Sequence, residues 1–204
     1  MISNATVPAP ASAQQIRRAR LKMLAILAVC AAPVIASYLS YYVIKPEGRT
    51  NYGVLIEPQR DLGALPLASP DGKLTSIADL RGKWLLLAIE PGTCAKACTD
   101  HLYALRQIRL TTGKDRDRVE RVLVLTGDAV PSAQVLAEYE GTVVGRLPAE
   151  LVERSFPAEP GARANEHLYV IDPLGNLMMR FPRDVDLTRM KKDVAKLLRA
   201  SRIG

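Results

Sequence analysis

Aromatic side chains and histidines are scarce in this chain. Of its 204 residues, 5% are Phe, Trp or Tyr, and two are His. A nucleic-acid-binding surface needs clustered Lys and Arg with aromatic side chains between them. The formal net charge of +7 is spread along the sequence instead, and we expect Arg116, Arg118 and Arg121 on helical or loop surface. The composition therefore excludes a nucleic-acid partner.

Charge is missing altogether from residues 23–44, MLAILAVCAAPVIASYLSYYVI. This run is long enough to cross a hydrocarbon core of about 30 Å as a helix that rises about 1.5 Å per residue. A signal peptide has a shorter apolar core of about 7–15 residues that ends at a small-x-small site. Here bulky residues, YYVI, follow the small ones. We therefore interpret residues 23–44 as a transmembrane helix and the membrane as a partner.

Basic residues are concentrated before this apolar run, at Arg17, Arg18, Arg20 and Lys22. The positive-inside rule places such an N-terminus in the cytoplasm and the rest of the chain outside it. We expect a single-pass protein of the inner (cell) membrane with a periplasmic domain. Its expected segments are a cytoplasmic disordered tail at 1–22, the transmembrane helix at 23–44, a stalk at 45–60 and one folded domain at 61–204.

Short apolar runs and helical repeats alternate in the predicted domain. The run WLLLAIE is continuously apolar and bounded by Gly and Pro, which is typical of a strand buried on both faces. Further strands are predicted in VERVLVL and on both sides of the turn DPLG, and helices after Thr93, after Ser132 and over 185–203. This order indicates an α/β domain with a central mixed sheet flanked by helices.

The chain has three cysteines, and two of them are close together. Cys30 lies in the apolar run, whereas Cys94 and Cys98 follow the strand WLLLAIE in the exported domain. A close pair is readily oxidised outside the cytoplasm. The start of a helix favours the thiolate form, so Cys94 is the expected nucleophile. Residues four apart share a helix face about 6 Å apart along the axis, which permits either a disulfide or one soft metal ion such as Cu(I).

Two stretches of this domain resemble the Sco (SenC-type) proteins. They are KWLLLAIEPGTCAKAC and HLYVIDPLGNLMMRF, within a similarity that covers about residues 60–200. Sco proteins are membrane-anchored, thioredoxin-fold assembly factors for cytochrome c oxidase. The resemblance implies a thioredoxin-like fold, with Cys94 and Cys98 as a copper-binding and redox pair. It also implies Cu(I) as the cofactor, and as partner the copper subunit of cytochrome c oxidase or another exported thiol protein.

The sequence also departs from the Sco pattern. The family usually has a proline after each cysteine and an acidic residue between them, where this chain has Ala95, Thr99 and Lys96. The family's histidine ligand stands eight residues before the aspartate of the late strand, a position that Ala164 occupies here. His167, three residues later, is the candidate third copper ligand, and its other interpretation is an ordinary strand residue.

Three functions remain open from the sequence. The pair Cys94 and Cys98 is a Cu(I) site of an oxidase assembly factor, a catalytic pair of a thiol–disulfide oxidoreductase, or a fixed disulfide in a non-catalytic scaffold. In the second, Cys94 attacks a partner disulfide and Cys98 resolves the mixed disulfide. A peroxiredoxin-like peroxidase is excluded because no Pro-x-x-x-Thr precedes Cys94. His101 is expected to be a partly exposed helix residue, and Glu90 is an acidic neighbour without an assigned role.

Overall fold

The structure, a computed structural model, describes residues 13–44, 51–69, 73, 76–201 and 203. The chain divides into two compact units, Met1–Arg49 and Thr50–Gly204. The expected tail over 1–12 and the stalk over 45–50 lie outside the described residues.

The first unit contains one long helix. Helix α1 spans Ala13–Leu39 and is followed by a π-helical turn, Ser40–Ile44. Its apolar window has a mean hydropathy of 2.1 and is 0% buried, so by length and composition this helix is a candidate membrane span. The helix begins at Ala13, which corrects the expected disordered tail over 13–22. That segment is rich in Ala, Gln, Arg and Leu, which have high helix propensity.

The second unit is built on a six-stranded mixed sheet. Its strands are β1 Val54–Asp61, β2 Trp84–Glu90, β3 Val119–Leu125, β4 Thr142–Arg146, β5 Leu168–Ile171 and β6 Asn176–Arg180. Their order in the sheet is β1-β6-β5-β2-β3-β4. Strands β2, β3 and β4 are parallel, and β5 runs antiparallel to β2. The antiparallel strands β6 and β1 complete the sheet at the other edge.

Helices cover both faces of this sheet. They are α2 Lys96–Thr111, α3 Ala133–Glu138, α4 Ala149–Ser155 and α5 Leu187–Ala200. Side chains of α2, α3 and α5 pack with Leu86 and Ala88 of β2 on one face, and α4 packs with Leu85 and Leu87 on the other. All seven residues of β2 are buried, because this strand is covered on both sides. The expected thioredoxin-like α/β fold is confirmed.

Three elements were not predicted, namely β1, β4 and α4. Strand β1 lies at a sheet edge and buries only Ile56, so it lacks an apolar pattern. Strand β4, at the opposite edge, is half-buried and buries only Gly145 fully. The expectation that Arg121 lies on helical or loop surface was also wrong. Arg121 belongs to β3 and is buried.

The folded domain begins before residue 61, which corrects the expected stalk. The backbone N–H groups of Tyr52 and Gly53 donate to Oδ2 of Asp193 at 2.6 and 2.9 Å. Asp193 is a buried residue of α5, and the guanidinium of Arg189 lies 4.4 Å from the centre of the Tyr52 ring. These contacts, together with the pairing of β1 with β6, make residues 52–60 part of the domain.

Candidate functional site

The cysteine pair lies where the central strand passes into helix α2. Strand β2 ends at Glu90, and α2 begins at Lys96, so Cys94 lies in the connecting turn rather than in the helix. The predicted helix start at Thr93 is therefore wrong. The sulfurs of Cys94 and Cys98 form a disulfide, with their Cα atoms 4.9 Å apart. The carboxyl ends of strands are the edge at which α/β sheets carry ligands and reactive groups.

Two residues of this turn have left-handed backbone conformations. Gly92 has a φ of +72°, and a side chain there would run into the carbonyl of Ala129. Cys94 has a φ of +43°, which is uncommon for a residue other than glycine and carries strain. Residues held in such conformations cluster at functional sites. The turn thus presents Cys94 in a geometry that a regular helix start does not provide.

The two cysteines differ in accessibility. Cys98 is 1% exposed and packs in the core between α2 and the sheet, whereas Cys94 is half-buried. Ala95 at the N-cap provides no side-chain hydrogen bond, so the first N–H groups of α2 lack a side-chain acceptor. Such a helix start stabilises a nearby thiolate after reduction. This geometry makes Cys94 the sulfur that a partner reaches and Cys98 the buried one.

A lysine between the cysteines makes a local ion pair. Nζ of Lys96 lies 2.6 Å from Oδ2 of Asp100, one turn along α2, and both side chains are exposed. Exposed pairs of this kind interact weakly, at roughly 0.3–0.5 kcal/mol. The positive charge that the sequence places beside the cysteines is therefore partly compensated by Asp100.

Half-buried His101, one turn along α2 from Cys98, forms an acid–base pair with buried Glu90. Nδ1 of His101 is 2.6 Å from Oε1 of Glu90, and the two side chains are 12% and 4% exposed. Glu90 ends β2 on the face that packs against α2, and His101 follows Cys98 by three residues on the same helix face. If the carboxylate of Glu90 accepts a hydrogen bond from Nδ1–H of His101, the unprotonated ring nitrogen is Nε2, which can then accept a proton. No local pattern predicts this pair, because its members lie 11 residues apart on different elements.

His167 occupies a different face of the sheet from Cys98. It precedes β5 and packs with Tyr169 at a ring-centroid distance of 6.3 Å, whereas the neighbouring Leu168 packs with Cys98. His167 is 0% exposed, and its Nδ1 donates to the carbonyl of Phe181 at 3.0 Å. Its Nε2 accepts from the N–H of Glu159 at 3.3 Å. Both ring nitrogens are thus used, which argues against the expectation of His167 as a third copper ligand.

Among the candidate metal ligands that remain, only the sulfurs of Cys94 and Cys98 fit a metal ion. Among the residues that the structure describes, no group of three or more His, Cys, Asp or Glu side chains is placed to hold a metal ion. Reduced Cys94 and Cys98 are two soft thiolate ligands, the kind that suits Cu(I). The residues therefore fit Cu(I) as a dithiolate pair and do not fit the expected set with His167.

Burial of His167 gives the first prediction. Burial lowers the pKa of His167 below its ordinary value, although the hydrogen bond to the carbonyl of Phe181 opposes this shift. Below about pH 6.5, His167 therefore binds a proton more readily in the unfolded chain than in the folded chain. We expect the contribution of His167 to the free energy of unfolding to be complete above that pH. Its contribution falls as pH decreases from about 6.5 toward the folded pKa, with a slope of at most about 1.4 kcal/mol per pH unit.

Urea unfolding of the full chain in detergent, with the disulfide intact, checks this prediction. The comparison is the loss of unfolding free energy between about pH 7.5 and about pH 5 in the natural chain and in His167→Gln. Glutamine retains an acceptor but does not titrate, so the variant should lose less stability over this interval. An equal loss in both chains would contradict the assignment.

Comparisons with known proteins agree with this architecture. The sequence matches the family described as "Transmembrane-like, thioredoxin-like, C-terminal domain" over residues 84–201, which is more than half of the chain. A comparison with curated proteins found no match. The matched family and the apolar helix α1 together support a single-pass membrane anchor.

Solved Sco structures share this fold at low sequence identity. Copper-bound ScoI from Arabidopsis thaliana is 18% identical with a TM-score of 0.51, over 74% of this chain and 99% of that chain. Apo Sco1 from Thermus thermophilus is 15% identical with a TM-score of 0.53, over 76% and 98%. BsSco, described with a disulfide switch as a member of the Sco family of cytochrome c oxidase assembly proteins, is 12% identical with a TM-score of 0.52, over 72% and 96%.

These likenesses confirm the resemblance to the Sco fold, and the low identities fit a divergent relative. The family match extends from the first residue of β2 through α5, so it includes both cysteines and the pair Glu90–His101. The chain therefore belongs to the family of transmembrane-like, thioredoxin-like C-terminal domains.

Proposed function

We propose that this protein is a membrane-anchored, extracytoplasmic assembly factor for a respiratory copper oxidase that reduces a disulfide in its partner. The observation that carries the proposal is the disulfide between half-buried Cys94 and buried Cys98 at the carboxyl end of the central strand. The basic residues of α1 that precede the apolar run 23–44 support a cytoplasmic N-terminus and a periplasmic domain. The Sco-like fold supports the copper subunit of the oxidase, or another exported thiol protein, as the partner.

The exchange reaction uses two sulfurs in sequence. In the reduced protein the thiolate of Cys94 attacks one sulfur of the partner disulfide, and the other partner sulfur leaves as a thiolate. The thiolate of Cys98 then attacks the sulfur of Cys94, which forms the Cys94–Cys98 disulfide and releases the second partner thiolate. Two electrons thus pass to the partner. An exported dithiol protein has to reduce the pair again before the next cycle.

The pair Glu90–His101 provides a proton acceptor for the buried cysteine. Cys98 reacts only as a thiolate, and desolvation in the core disfavours that form. A carboxylate that holds Nδ1–H of His101 leaves Nε2 to accept the proton of Cys98 from the same helix face. In this proposal Glu90 is a positioning residue, since it acts through the ring of His101.

Copper delivery is the second candidate function, and the two soft sulfur ligands at one site favour it. In the reduced protein Cys94 and Cys98 would hold Cu(I), the metal to be transferred. His167 takes no part, because both of its nitrogens bond to the backbone. Delivery and reduction are compatible steps, since the copper site of a partner accepts metal only after its own thiols are reduced.

A Cu(I) titration of the full chain in detergent tests the copper candidate and the exclusion of His167. The chain is reduced under anaerobic conditions and titrated against a competing chelator. We expect one equivalent to bind, because two thiolates converge at one place. We expect Cys94→Ser/Cys98→Ser to lose this binding, and His167→Gln to keep the same affinity within about twofold.

Cys30→Ser is the matched control, because it removes the other thiol of the described chain without touching the pair. Loss of Cu(I) binding in that variant would assign the metal to α1. A loss of about tenfold or more in His167→Gln would show that His167 binds the metal. Absence of binding by the reduced natural chain would reject copper delivery and leave thiol–disulfide exchange.

A further inference from the structure

Arginines surround a cavity at the end of the sheet opposite to the cysteines. The cavity has a volume of about 380 Å³ and lies among the second half of α2, the turn before β3, the first residues of β3 and the end of α3. It is lined by Arg106, Arg109, Arg116, Arg121, Glu138 and Glu140, among others. Val119 of β3 aligns with Trp84, the first residue of β2, whereas Cys94 follows the last. The cavity is therefore separate from the redox site.

Four arginines and two glutamates line this cavity, so its positive charge exceeds its negative charge. Within the described ranges, no salt bridge joins any of the four arginines to a carboxylate. The side chains of Arg106, Arg109 and Arg121 donate to backbone carbonyls instead. Nε of Arg109 donates to Val119 at 2.6 Å, and Nη2 of Arg121 donates to Glu140 at 2.6 Å. Carbonyl groups orient the guanidinium groups but leave their charges in place.

Arg121 is the innermost of these residues. It is 6% exposed, and its Nε is buried without a hydrogen-bond partner. Burial, followed by repulsion from Arg109, lowers the pKa of Arg121 below its ordinary value. Buried donors are normally satisfied, and a buried charge normally has a partner of opposite sign. The unsatisfied guanidinium edge therefore points to a missing anionic acceptor.

We propose that this cavity binds a phosphate group, carried by a small soluble molecule or by a lipid headgroup. Guanidinium groups match phosphate oxygens through paired hydrogen bonds, and the nearly doubly negative charge of a phosphate monoester suits several arginines at once. The volume lies near the lower end of the range for ligand pockets, about 300–1,000 Å³. A carboxylate of one negative charge would leave more of the cluster uncompensated.

Calorimetric titration of the full chain in nanodiscs tests this proposal. The ligand is inorganic phosphate, added at constant ionic strength to protein in discs of phosphatidylcholine alone. The test variant is Arg106→Gln/Arg116→Gln, because both side chains are exposed and their loss leaves the core intact. We expect phosphate to bind the natural chain and to bind this variant about tenfold more weakly or worse.

The matched control is Arg154→Gln/Lys191→Gln, which removes the same charge from exposed positions on α4 and α5. It should bind phosphate within about twofold of the natural chain. Equal weakening in both double variants would show a general charge effect and overturn the site. Failure of the natural chain to bind phosphate in these discs would overturn it as well.

Discs that contain phosphatidic acid, a lipid whose headgroup is a phosphate monoester, distinguish the two sources of the phosphate group. Weaker binding of free phosphate in these discs, seen only with the arginines intact, assigns the cavity to a headgroup. Unchanged binding assigns it to a soluble phosphate compound, and both results support the site. Arginine-dependent binding of an oligoglutamate peptide, without binding of phosphate, would instead identify an acidic protein segment and overturn the proposal.

Discussion

A Cys98→Ser chain is expected to stop halfway through thiol–disulfide exchange and to retain its partner on Cys94. The half-buried sulfur of Cys94 remains available for the first attack, whereas the buried group that resolves the mixed disulfide is missing. Turnover with a disulfide substrate should fall below detection. In membranes of cells that express this variant, non-reducing electrophoresis should show a new covalent complex that a reductant dissolves. Mass spectrometry of the complex identifies the partner.

Two further variants make this result specific. Cys94→Ser should trap nothing, because Cys98 is 1% exposed and cannot reach a partner in the folded domain. Cys30→Ser should exchange like the natural chain, since Cys30 lies in α1. Trapping of the oxidase copper subunit supports the assembly function, and trapping of varied exported proteins favours a general oxidoreductase. If Cys98→Ser traps no protein, the disulfide is a fixed element of a scaffold.

A Glu90→Gln chain is expected to resolve the mixed disulfide about 100-fold more slowly than the natural chain. Without the carboxylate that accepts Nδ1–H, His101 loses both its fixed tautomer and its anionic partner at 2.6 Å. The proton of Cys98 then lacks an effective acceptor. The first attack by Cys94 should change by no more than about threefold, because Cys94 gains its reactivity from the turn and the start of α2. Stopped-flow measurement with a chromogenic disulfide separates the two steps.

The control for this variant is Asp100→Asn. It removes one negative charge from the same helix, but Asp100 is exposed and pairs with Lys96. Its resolution rate should stay within about twofold of the natural value. Glu90→Asp should recover part of the rate, since it restores a carboxylate on the same strand. Equal slowing of both steps in Glu90→Gln would instead indicate a general structural defect, and an unchanged resolution step would reject the role of the pair.

Much of this protein follows from local patterns in its sequence. The uncharged run over 23–44 is long enough to cross a hydrocarbon core as a helix, and it forms most of the exposed helix α1. The continuous apolar run WLLLAIE had to become a strand covered on both faces, and it became β2. A cysteine pair that follows such a strand reaches the carboxyl edge of the sheet wherever the other elements lie.

Other features depended on contacts between distant residues. Strands β1 and β4 lie at the two sheet edges, where few side chains are buried and apolar periodicity is therefore weak. Asp193 brings α5 to Tyr52 and so decides that the domain begins before residue 61. The sequence separation of 141 residues in that hydrogen bond is far beyond any local signal.

The residues of the two sites likewise depended partly on local sequence and partly on tertiary contacts. The sequence alone placed Cys94 and Cys98 together after a buried strand of an α/β domain, since spacing and a preceding apolar run are local properties. Only the tertiary structure decided that Glu90 meets His101 and that His167 faces away from Cys98. It also decided that Arg121 is buried among other arginines. The side of a sheet on which a residue lies, and what faces it there, depends on strand register and helix packing, which no short stretch of sequence encodes.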